Sequence, residues 1–253
     1  MARSKTGIQG LDKALNGGFP DGSLVLLSGG AGTGKSTLAM QYVVNGATLF
    51  GEKGLYISTE QSEEELSKAA SQFGWNLVGL QNKNMVKVIY FKVLGDDHFL
   101  QKVEELVKDF QPKRIVIDSM TTLVDSLLMS ELQKDVSVSM VKIAESISPV
   151  PRTEQIMTKI ILYNLFNKFR EFDATMVMTS ELQEGTEHLS ADGVSEFIAD
   201  GVATLENLVV GQSAFRTIRI RKMRYTDHLM TGLNYSLTQK GVEFENESSG
   251  LSL

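Results

Sequence analysis

The sequence predicts an α/β fold, in which a mostly parallel central sheet is flanked by helices on both faces. Apolar, β-branched runs of strand length alternate with segments of helical periodicity, which is typical of a parallel sheet. The predicted strands cover 24–28, 55–59, 86–91, 114–118 and 175–180, and the predicted helices cover 36–49, 62–73, 98–110 and 154–172. Shorter strands follow, which we expect to add antiparallel members to the sheet, at 201–206, 215–222 and 233–237.

Local signals support these elements in chain order. The first strand is a solid apolar run that ends in glycine, where the following helix begins. The helix at 62–73 starts after the N-cap residue Ser62, and the three glutamates that follow interact favourably with the helix dipole, which explains them without a functional role. The strand at 114–118 is apolar up to its final aspartate, and SPVPR interrupts the helical pattern before 154–172.

We expect a single domain over residues 1–253, because the chain shows no internal repeat and its 42% hydrophobic content supplies ample core. The carboxyl-terminal stretch GVEFENESSGLSL ends in small and polar residues, so we expect it to fray, with a flexible tail at 245–253. No segment reaches the roughly 18 uninterrupted apolar residues of a membrane span. These features predict a soluble, cytoplasmic protein.

Charge and cysteine content exclude some classes of function. The formal net charge of -6 argues against a protein that holds nucleic acid by overall charge, although a local basic patch would still allow it. Because the chain has no cysteine, neither a disulfide framework nor a thiolate metal site can form, which fits a reducing compartment. Composition by itself indicates no partner.

A phosphate loop is the clearest motif in the chain. Gly29, four further residues, Gly34, Lys35 and Ser36 match G-x-x-x-x-G-K-[ST] between a predicted strand and a predicted helix. Lys35 is expected to bridge the terminal phosphates of a nucleoside triphosphate, and the Ser36 hydroxyl to ligate Mg²⁺. The alternative is a glycine-rich turn that binds nothing. The residues expected to bind the nucleotide here are Gly30, Ala31, Gly32, Thr33, Gly34, Lys35, Ser36 and Thr37.

Two acids follow predicted strands at the edge where open α/β sheets bind ligands. Asp118 ends the run RIVID and can hold the magnesium through water, although an aspartate that only caps the next turn is an alternative. Glu60 directly follows the strand at 55–59, where a carboxylate could take a proton from an attacking water. For Glu60 the alternative is a solvent-exposed acid before a helix cap.

Six stretches, in order along nearly the whole chain, together resemble the KaiC branch of the RecA superfamily. They are TGIQGLDKALNGGFPDGS, ISTEQSEEELSKAASQFGWNL, IDS at Asp118, VMTSE at Ser180, VSEFIADGV near Phe197 and KMRYTDH at Lys222. The resemblance implies a RecA-like P-loop ATPase fold, ATP and Mg²⁺ as ligands, and a hexameric ring with ATP at each subunit boundary. It also implies Glu60 as catalytic base. KaiC-like proteins often have a second glutamate next to it, where this chain has Gln61.

The same resemblance assigns a role to the basic stretch near the carboxyl terminus. In an extended strand Lys222, Arg224, Thr226 and His228 share one face. In KaiC-like rings the matching K-x-R-x-T-x-H set reaches the nucleotide of the neighbouring subunit, with Lys222 and Arg224 as arginine-finger-like cations. Without the resemblance, the alternatives are a charged edge strand that resists aggregation, or a nucleic-acid patch.

Two departures from the circadian clock protein limit what the resemblance implies. That protein has two such domains in tandem, whereas this chain has one phosphate loop, so a single-tier ring is expected. Where its autophosphorylating domain has adjacent serine and threonine, this chain has Ser195 followed by Glu196. Autokinase activity is therefore not implied.

The stretch at 126–152 is longer than the family's core connection and predicts a helical insertion. Its apolar residues recur at helical spacing, at Leu132, Val136, Met140, Ile143 and Ile147. We expect this stripe to pack on the protein's own core or on a neighbouring subunit. A dedicated protein partner or a pore-facing nucleic-acid loop is the alternative, and the mixed charges of the stretch do not favour nucleic acid.

The sequence therefore predicts an oligomeric ATPase whose hydrolysis drives or times a conformational change. One competing hypothesis is a recombinase paralogue in DNA repair, with loops near the ring centre that bind single strands. Another is a signalling or scaffold module that uses ATP to hold the oligomer together with negligible turnover. ATP turnover with and without single-stranded DNA discriminates between the three.

Overall fold

The computed structural model describes residues 1–92, 98–134, 152–183, 185–211 and 213–244. The expected tail at 245–253 lies outside these residues. So do four of the five residues of the apolar stripe predicted for the insertion, and the side chain of the fifth, Leu132, is not described.

The described elements begin with a short antiparallel pair of strands separated in sequence by a helix, and continue as alternating strands and helices. The strands are β1 (Arg3–Ser4), β2 (Phe19–Pro20), β3 (Leu24–Gly29), β4 (Gly54–Ser58), β5 (Val86–Tyr90), β6 (Arg114–Asp118), β7 (Thr175–Glu181), β8 (Gly201–Val210), β9 (Ser213–Met223), β10 (Leu233–Thr238) and β11 (Gly241–Phe244). The helices are α1 (Gln9–Ala14), α2 (Lys35–Leu49), α3 (Glu63–Gln72), α4 (Leu77–Asn82), α5 (Phe99–Phe110), α6 (Met120–Lys134), α7 (Arg152–Phe169) and α8 (Ser195–Ile198).

Nine strands of the described residues form one mixed sheet in the order β11–β10–β9–β8–β3–β7–β6–β4–β5. The strands from β8 to β5 in this order are parallel, and β9, β10 and β11 are antiparallel. The carboxyl ends of the parallel strands therefore meet at one edge, called the carboxyl edge below, and their amino ends meet at the opposite, amino edge. The predicted α/β fold with antiparallel carboxyl-terminal strands is confirmed.

Several details differ from the sequence-based expectation. β8 was expected among the antiparallel members but runs parallel to β3, because residues 182–200 form a connection long enough to return the chain to the amino edge. The start of the stretch expected to fray forms β11, which pairs with β10. Periodicity also missed α1, α4 and the β1–β2 pair, which are too short to show a helical or alternating pattern.

The sheet is covered on both faces, as its nearly continuous apolar strands require. Every residue of β3, β4 and β6 is buried, which is expected where a strand packs against helices on each side. One apolar cluster lies under α2 and includes Tyr42 and Tyr56, and the other includes Phe99 of α5 and Phe166 of α7. None of the helices formed by the described residues is long and apolar enough to cross a membrane.

The start of β6 carries a fully buried arginine that fixes α2 on the sheet. The Arg114 guanidinium carbon lies 4.5 Å from the ring centre of Tyr42. Its Nε donates to Glu52 at 2.6 Å. A Cβ atom added at Gly46 in α2 would lie 2.4 Å from both Cδ and Nε of this arginine. Gly46 is therefore the residue that lets the helix approach the arginine side chain.

We expect Gly46→Ala to destabilise the protein even though alanine favours helices. The helical preference for alanine is worth about 1 kcal/mol, whereas overpacking a dense core costs about 1–3 kcal/mol. Urea unfolding should therefore show a net loss of stability. A variant as stable as the parent protein would mean that Arg114 moves aside freely, which its ion pair with Glu52 opposes.

Candidate nucleotide-binding site

The phosphate loop connects the end of β3 to the start of α2 at the carboxyl edge. Gly32 and Gly34 have φ values of +72° and +91°, a left-handed region that favours glycine. A Cβ at Gly34 would also lie 3.0 Å from Leu237 of β10. The Tyr235 hydroxyl of the same strand donates to the Thr33 carbonyl. The carboxyl-terminal hairpin thus fixes the loop from outside.

Lys35 is the buried cation of this loop. Its side chain folds back so that Nζ donates to the Gly30 carbonyl at 3.0 Å, and the residue is only 8% exposed. Burial lowers the pKa of Lys35, and the carboxylates of Glu181, Asp118 and Glu60 act in the opposite direction, in that order. The structure therefore brings the predicted phosphate-binding lysine together with both predicted acids.

Asp118 lies at the end of β6 and is 7% exposed. Its two oxygens accept hydrogen bonds from the hydroxyls of Tyr56 and Thr179, each at 2.5 Å. Burial, reinforced by the adjacent Asp118 carboxylate, raises the pKa of Tyr56 well above its usual value, so this hydroxyl keeps its proton and remains a donor. The carboxylate is thus oriented by neutral partners and carries no salt bridge among the described residues.

The residues present fit magnesium bound together with phosphates. The described part of the chain holds no cluster of three or more His, Cys, Asp or Glu side chains suited to a metal. Mg²⁺ commonly takes only one or two protein ligands and completes its shell with water and substrate phosphates. An exposed Ser36 hydroxyl and a strand-end Asp118 whose oxygens retain lone pairs are a donor set of this kind.

Glu60 lies in the turn that follows β4. The Ser58 hydroxyl accepts the backbone N–H groups of Gln61 at 2.9 Å and Glu60 at 3.4 Å, which shapes this turn. The Oε1 atom of Glu60 accepts hydrogen bonds from the hydroxyls of Ser119 at 2.5 Å and Thr122 at 2.9 Å. The predicted N-cap Ser62 is confirmed, and it forms a capping box with Glu65, while Glu63 and Glu64 lie in the same first turn of α3.

Sequence reasoning assigned no role to several residues that complete this site. They are Tyr56, Ser119, Thr122, Thr179 and Glu181. Glu181 ends β7, the strand next to β3, and its backbone N–H donates to the Thr121 hydroxyl at 3.0 Å. Glu181 directly follows the predicted strand at 175–180, as Glu60 follows the predicted strand at 55–59, so its place at a strand end was open to prediction. The hydroxyl partners lie on different elements and left no local pattern.

Proteins of known family are similar in sequence to this chain over nearly its whole length. A family model described as the KaiC ATPase matches residues 4–145 and 126–249. The chain belongs to the KaiC family of ATPases. It is 28% identical over 252 residues to the circadian clock oscillator protein KaiC of Parathermosynechococcus lividus, which covers 96% of this chain and 42% of that protein. The corresponding protein of Nostoc sp. is 27% identical over 252 residues, with 96% and 44% covered.

The KaiC-family chain thus spans less than half the length of these curated relatives. A solved structure of similar length is the KaiC-like protein from the hyperthermophilic archaeon Pyrococcus horikoshii OT3. It is 30% identical, with a TM-score of 0.80, and the match covers 97% of this chain and 99% of that one. The predicted RecA-like fold of the KaiC branch is confirmed.

The basic pair of this KaiC-family chain lies at the amino edge, opposite the phosphate loop. The Arg224 backbone N–H donates to the Asp200 carbonyl, and Asp200 N–H donates to the carbonyl of Leu24, the first residue of β3. Leu24 begins β3, and Gly29, the first residue of the loop, ends it. The six residues of β3 therefore separate the amino edge from the phosphate loop by about 17 Å. Lys222 and Arg224 are therefore not brought together with Lys35 of their own chain.

Both cations are held by their own chain in this structure. Lys222 Nζ donates to the carbonyls of Glu196, Phe197 and Ala199, at 3.1, 3.0 and 2.6 Å. Burial and the neighbouring Arg224 lower the pKa of Lys222. The Arg224 Nη1 atom lies 2.9 Å from Oδ1 of Asp200, a carboxylate that Arg170 also contacts. Arg224 thus belongs to a charge cluster with Asp200 and Arg170 on the amino edge, and Lys222 lies beside it.

The expectation of one shared strand face from Lys222 to His228 is wrong. β9 ends at Met223, and Tyr225 has a φ of +58°, so the chain turns where an extended strand was expected. β9 ends here because the backbone N–H of Arg224 bonds to the Asp200 carbonyl, directly before β8, and so no longer continues the strand pairing. Thr226 accepts from Arg3 at 2.7 Å, and His228 lines a cavity of about 1040 Å³ between α1 and the β10–β11 hairpin.

Proposed function

We propose that this chain binds ATP at the phosphate loop and hydrolyses it to ADP and phosphate. The observation that carries the proposal is the buried Lys35 ammonium, held by a loop carbonyl and surrounded by the carboxylates of Glu181, Asp118 and Glu60. A polyphosphate can replace the Gly30 carbonyl as the partner of Nζ, and the loop N–H groups add further donors. Membership of the KaiC ATPase family supports the same conclusion.

Each site residue has a separate role in the proposed reaction. The residues around the nucleotide are Gly30, Ala31, Gly32, Thr33, Gly34, Lys35, Ser36 and Thr37. Ser36, and Asp118 through water, would hold Mg²⁺, which neutralises charge on the terminal phosphates when bound. Glu60 accepts a proton from the attacking water. Lys35 stabilises the negative charge that develops on the phosphate oxygens.

We also propose that the active form is an oligomer in which Lys222 and Arg224 act on a neighbour's nucleotide. Their position at the amino edge supports this, because about 17 Å of β3 lies between them and the loop of their own chain. Thr226 and His228, beyond the same turn, would lie at the same boundary. A hexameric ring is the arrangement that the family resemblance favours, and hydrolysis at its boundaries would drive conformational change.

ATP turnover measured with and without single-stranded DNA tests this function against its competitors. We expect turnover that DNA leaves unchanged. Stimulation by DNA would instead support a recombinase-like role, and binding of ATP with negligible turnover would support a scaffold. The net charge of -6 does not favour a nucleic-acid partner, and a protein partner for residues 126–152 remains a separate proposal.

Mixing two inactive variants is expected to restore activity if the site is shared. An Arg224→Ala subunit keeps an intact phosphate loop but supplies no cation to its neighbour, and a Lys35→Ala subunit has the reverse defect. Mixed oligomers contain some boundaries with a functional loop and a functional cation. ATP turnover after mixing, with subunit exchange monitored by fluorescence energy transfer, measures the recovery.

Either of two results would contradict the shared site. Persistent inactivity despite demonstrated exchange would show that the cations do not act across the boundary. Full activity of Arg224→Ala by itself would remove Arg224 from the mechanism. Arg221→Ala, which removes a nearby exposed cation of β9, serves as the control and should retain turnover.

A further inference from the structure

Glu60 is an exposed residue of a turn, yet one of its oxygens has two hydrogen-bond partners. Oε1 accepts two hydroxyl hydrogen bonds, from Ser119 at 2.5 Å and from Thr122 at 2.9 Å. Within the described part of the chain, no hydrogen bond to Oε2 is found. A carboxylate fixed through one oxygen keeps a defined orientation while its other oxygen stays available as a base.

The two hydroxyls occupy their positions because of how α6 begins. Ser119 precedes the helix, and its hydroxyl accepts the backbone N–H of Thr122 at 3.2 Å, as an N-cap residue does three positions before its partner. The cap thus places both side chains on the first turn of α6.

The turn and the helix are tied together on the other side of Glu60 as well. The Thr59 hydroxyl donates to the Ser119 carbonyl at 3.1 Å and accepts the Ser119 N–H at 2.9 Å. The Thr59 N–H donates to the Asp118 carbonyl at 2.8 Å. The ends of β4 and β6 are therefore linked by three hydrogen bonds immediately before Glu60, so a shift of α6 would move the hydroxyls and the carboxylate together.

We propose that Thr122 is a positioning residue for ATP hydrolysis, which holds Oε1 of Glu60 so that Oε2 faces the attacking water. This inference rests on the proposed role of Glu60 as the base. Thr122 itself contacts neither phosphate nor water in the proposed reaction. It acts only through Glu60, and the inference therefore predicts a loss of kcat that depends on the glutamate being present.

Thr122→Val removes the hydroxyl and keeps the branched shape of the side chain. Losing one hydrogen bond to a charged group should lower kcat about tenfold. ATP affinity should be unchanged, because the hydrogen bonds that the structure describes for Thr122 go to Ser119 and Glu60, not to the phosphate loop. Thr122→Ser retains the hydroxyl and should recover most of the lost kcat. Thr48→Val removes a hydroxyl whose described hydrogen bond lies within α2, and it is the matched control, with unchanged kcat.

A double substitution separates positioning from general damage. In the Glu60→Gln background, Thr122→Val should cause no further loss in single-turnover hydrolysis of radiolabelled ATP. An equal tenfold loss there, or a Thr122→Ser variant as slow as Thr122→Val, would overturn the inference. Full turnover of Glu60→Gln would remove the base and this inference with it. An inactive Glu60→Gln beside a fully active Thr122→Val would overturn the inference alone and leave the proposed function standing.

Discussion

Glu60→Gln is expected to bind ATP as the parent protein does and to hydrolyse it about a hundredfold more slowly or worse, since general base catalysis contributes about 10²–10⁴-fold. Glutamine keeps the size of the side chain, and its carbonyl oxygen can still accept the hydroxyls of Ser119 and Thr122. What it loses is the ability to take a proton from water. Phosphate release measured at saturating ATP, beside equilibrium binding of ATP, checks both halves of this expectation.

The neighbouring helix offers a control for this substitution. Glu64 is an exposed acid in the first turn of α3, where its interaction is with the helix dipole, so Glu64→Gln should retain turnover. Turnover of Glu60→Gln equal to that of the parent protein would show that another group activates water. Gln61, which is next to Glu60, and Ser180, the penultimate residue of β7, would then be the next residues to substitute.

Lys35→Ala is expected to lower ATP affinity about 10- to 100-fold and to abolish measurable turnover, because it removes a charge-assisted hydrogen bond to the terminal phosphates. The fold should survive. Burial lowers the pKa of Lys35, so the charge on this side chain does not itself stabilise the folded state, and the variant loses only the hydrogen bond from Nζ to the Gly30 carbonyl. Titration with a fluorescent ATP analogue and a thermal unfolding curve measure the two effects.

A folded Lys35→Ala protein with parental affinity and turnover would contradict the assignment of the phosphate loop. Lys68→Ala, which removes an exposed lysine of α3, is the control and should change neither quantity. Loss of affinity together with loss of the unfolding transition would instead indicate that Lys35 is required for folding.

The sequence by itself determined the phosphate loop, the alternation of strands and helices, and the two acids that follow strands. These features are local. A glycine-rich loop, a lysine and a hydroxyl at fixed spacing specify their own geometry, and an acid after an apolar run lies at a strand end wherever that strand is placed. For this reason Lys35, Asp118 and Glu60 are predictable from the sequence, and the structure brings all three together.

Only the tertiary structure decided which strands are neighbours and at which edge each side chain lies. The order β3–β7–β6–β4 places Glu181 beside the loop and brings the hydroxyls of Ser119 and Thr122 to Glu60. The parallel pairing of β8 sends β9 back to the amino edge and places Arg224 there. Strand order depends on long-range pairing between buried strands of similar apolar composition, and such strands carry no local mark of their partners.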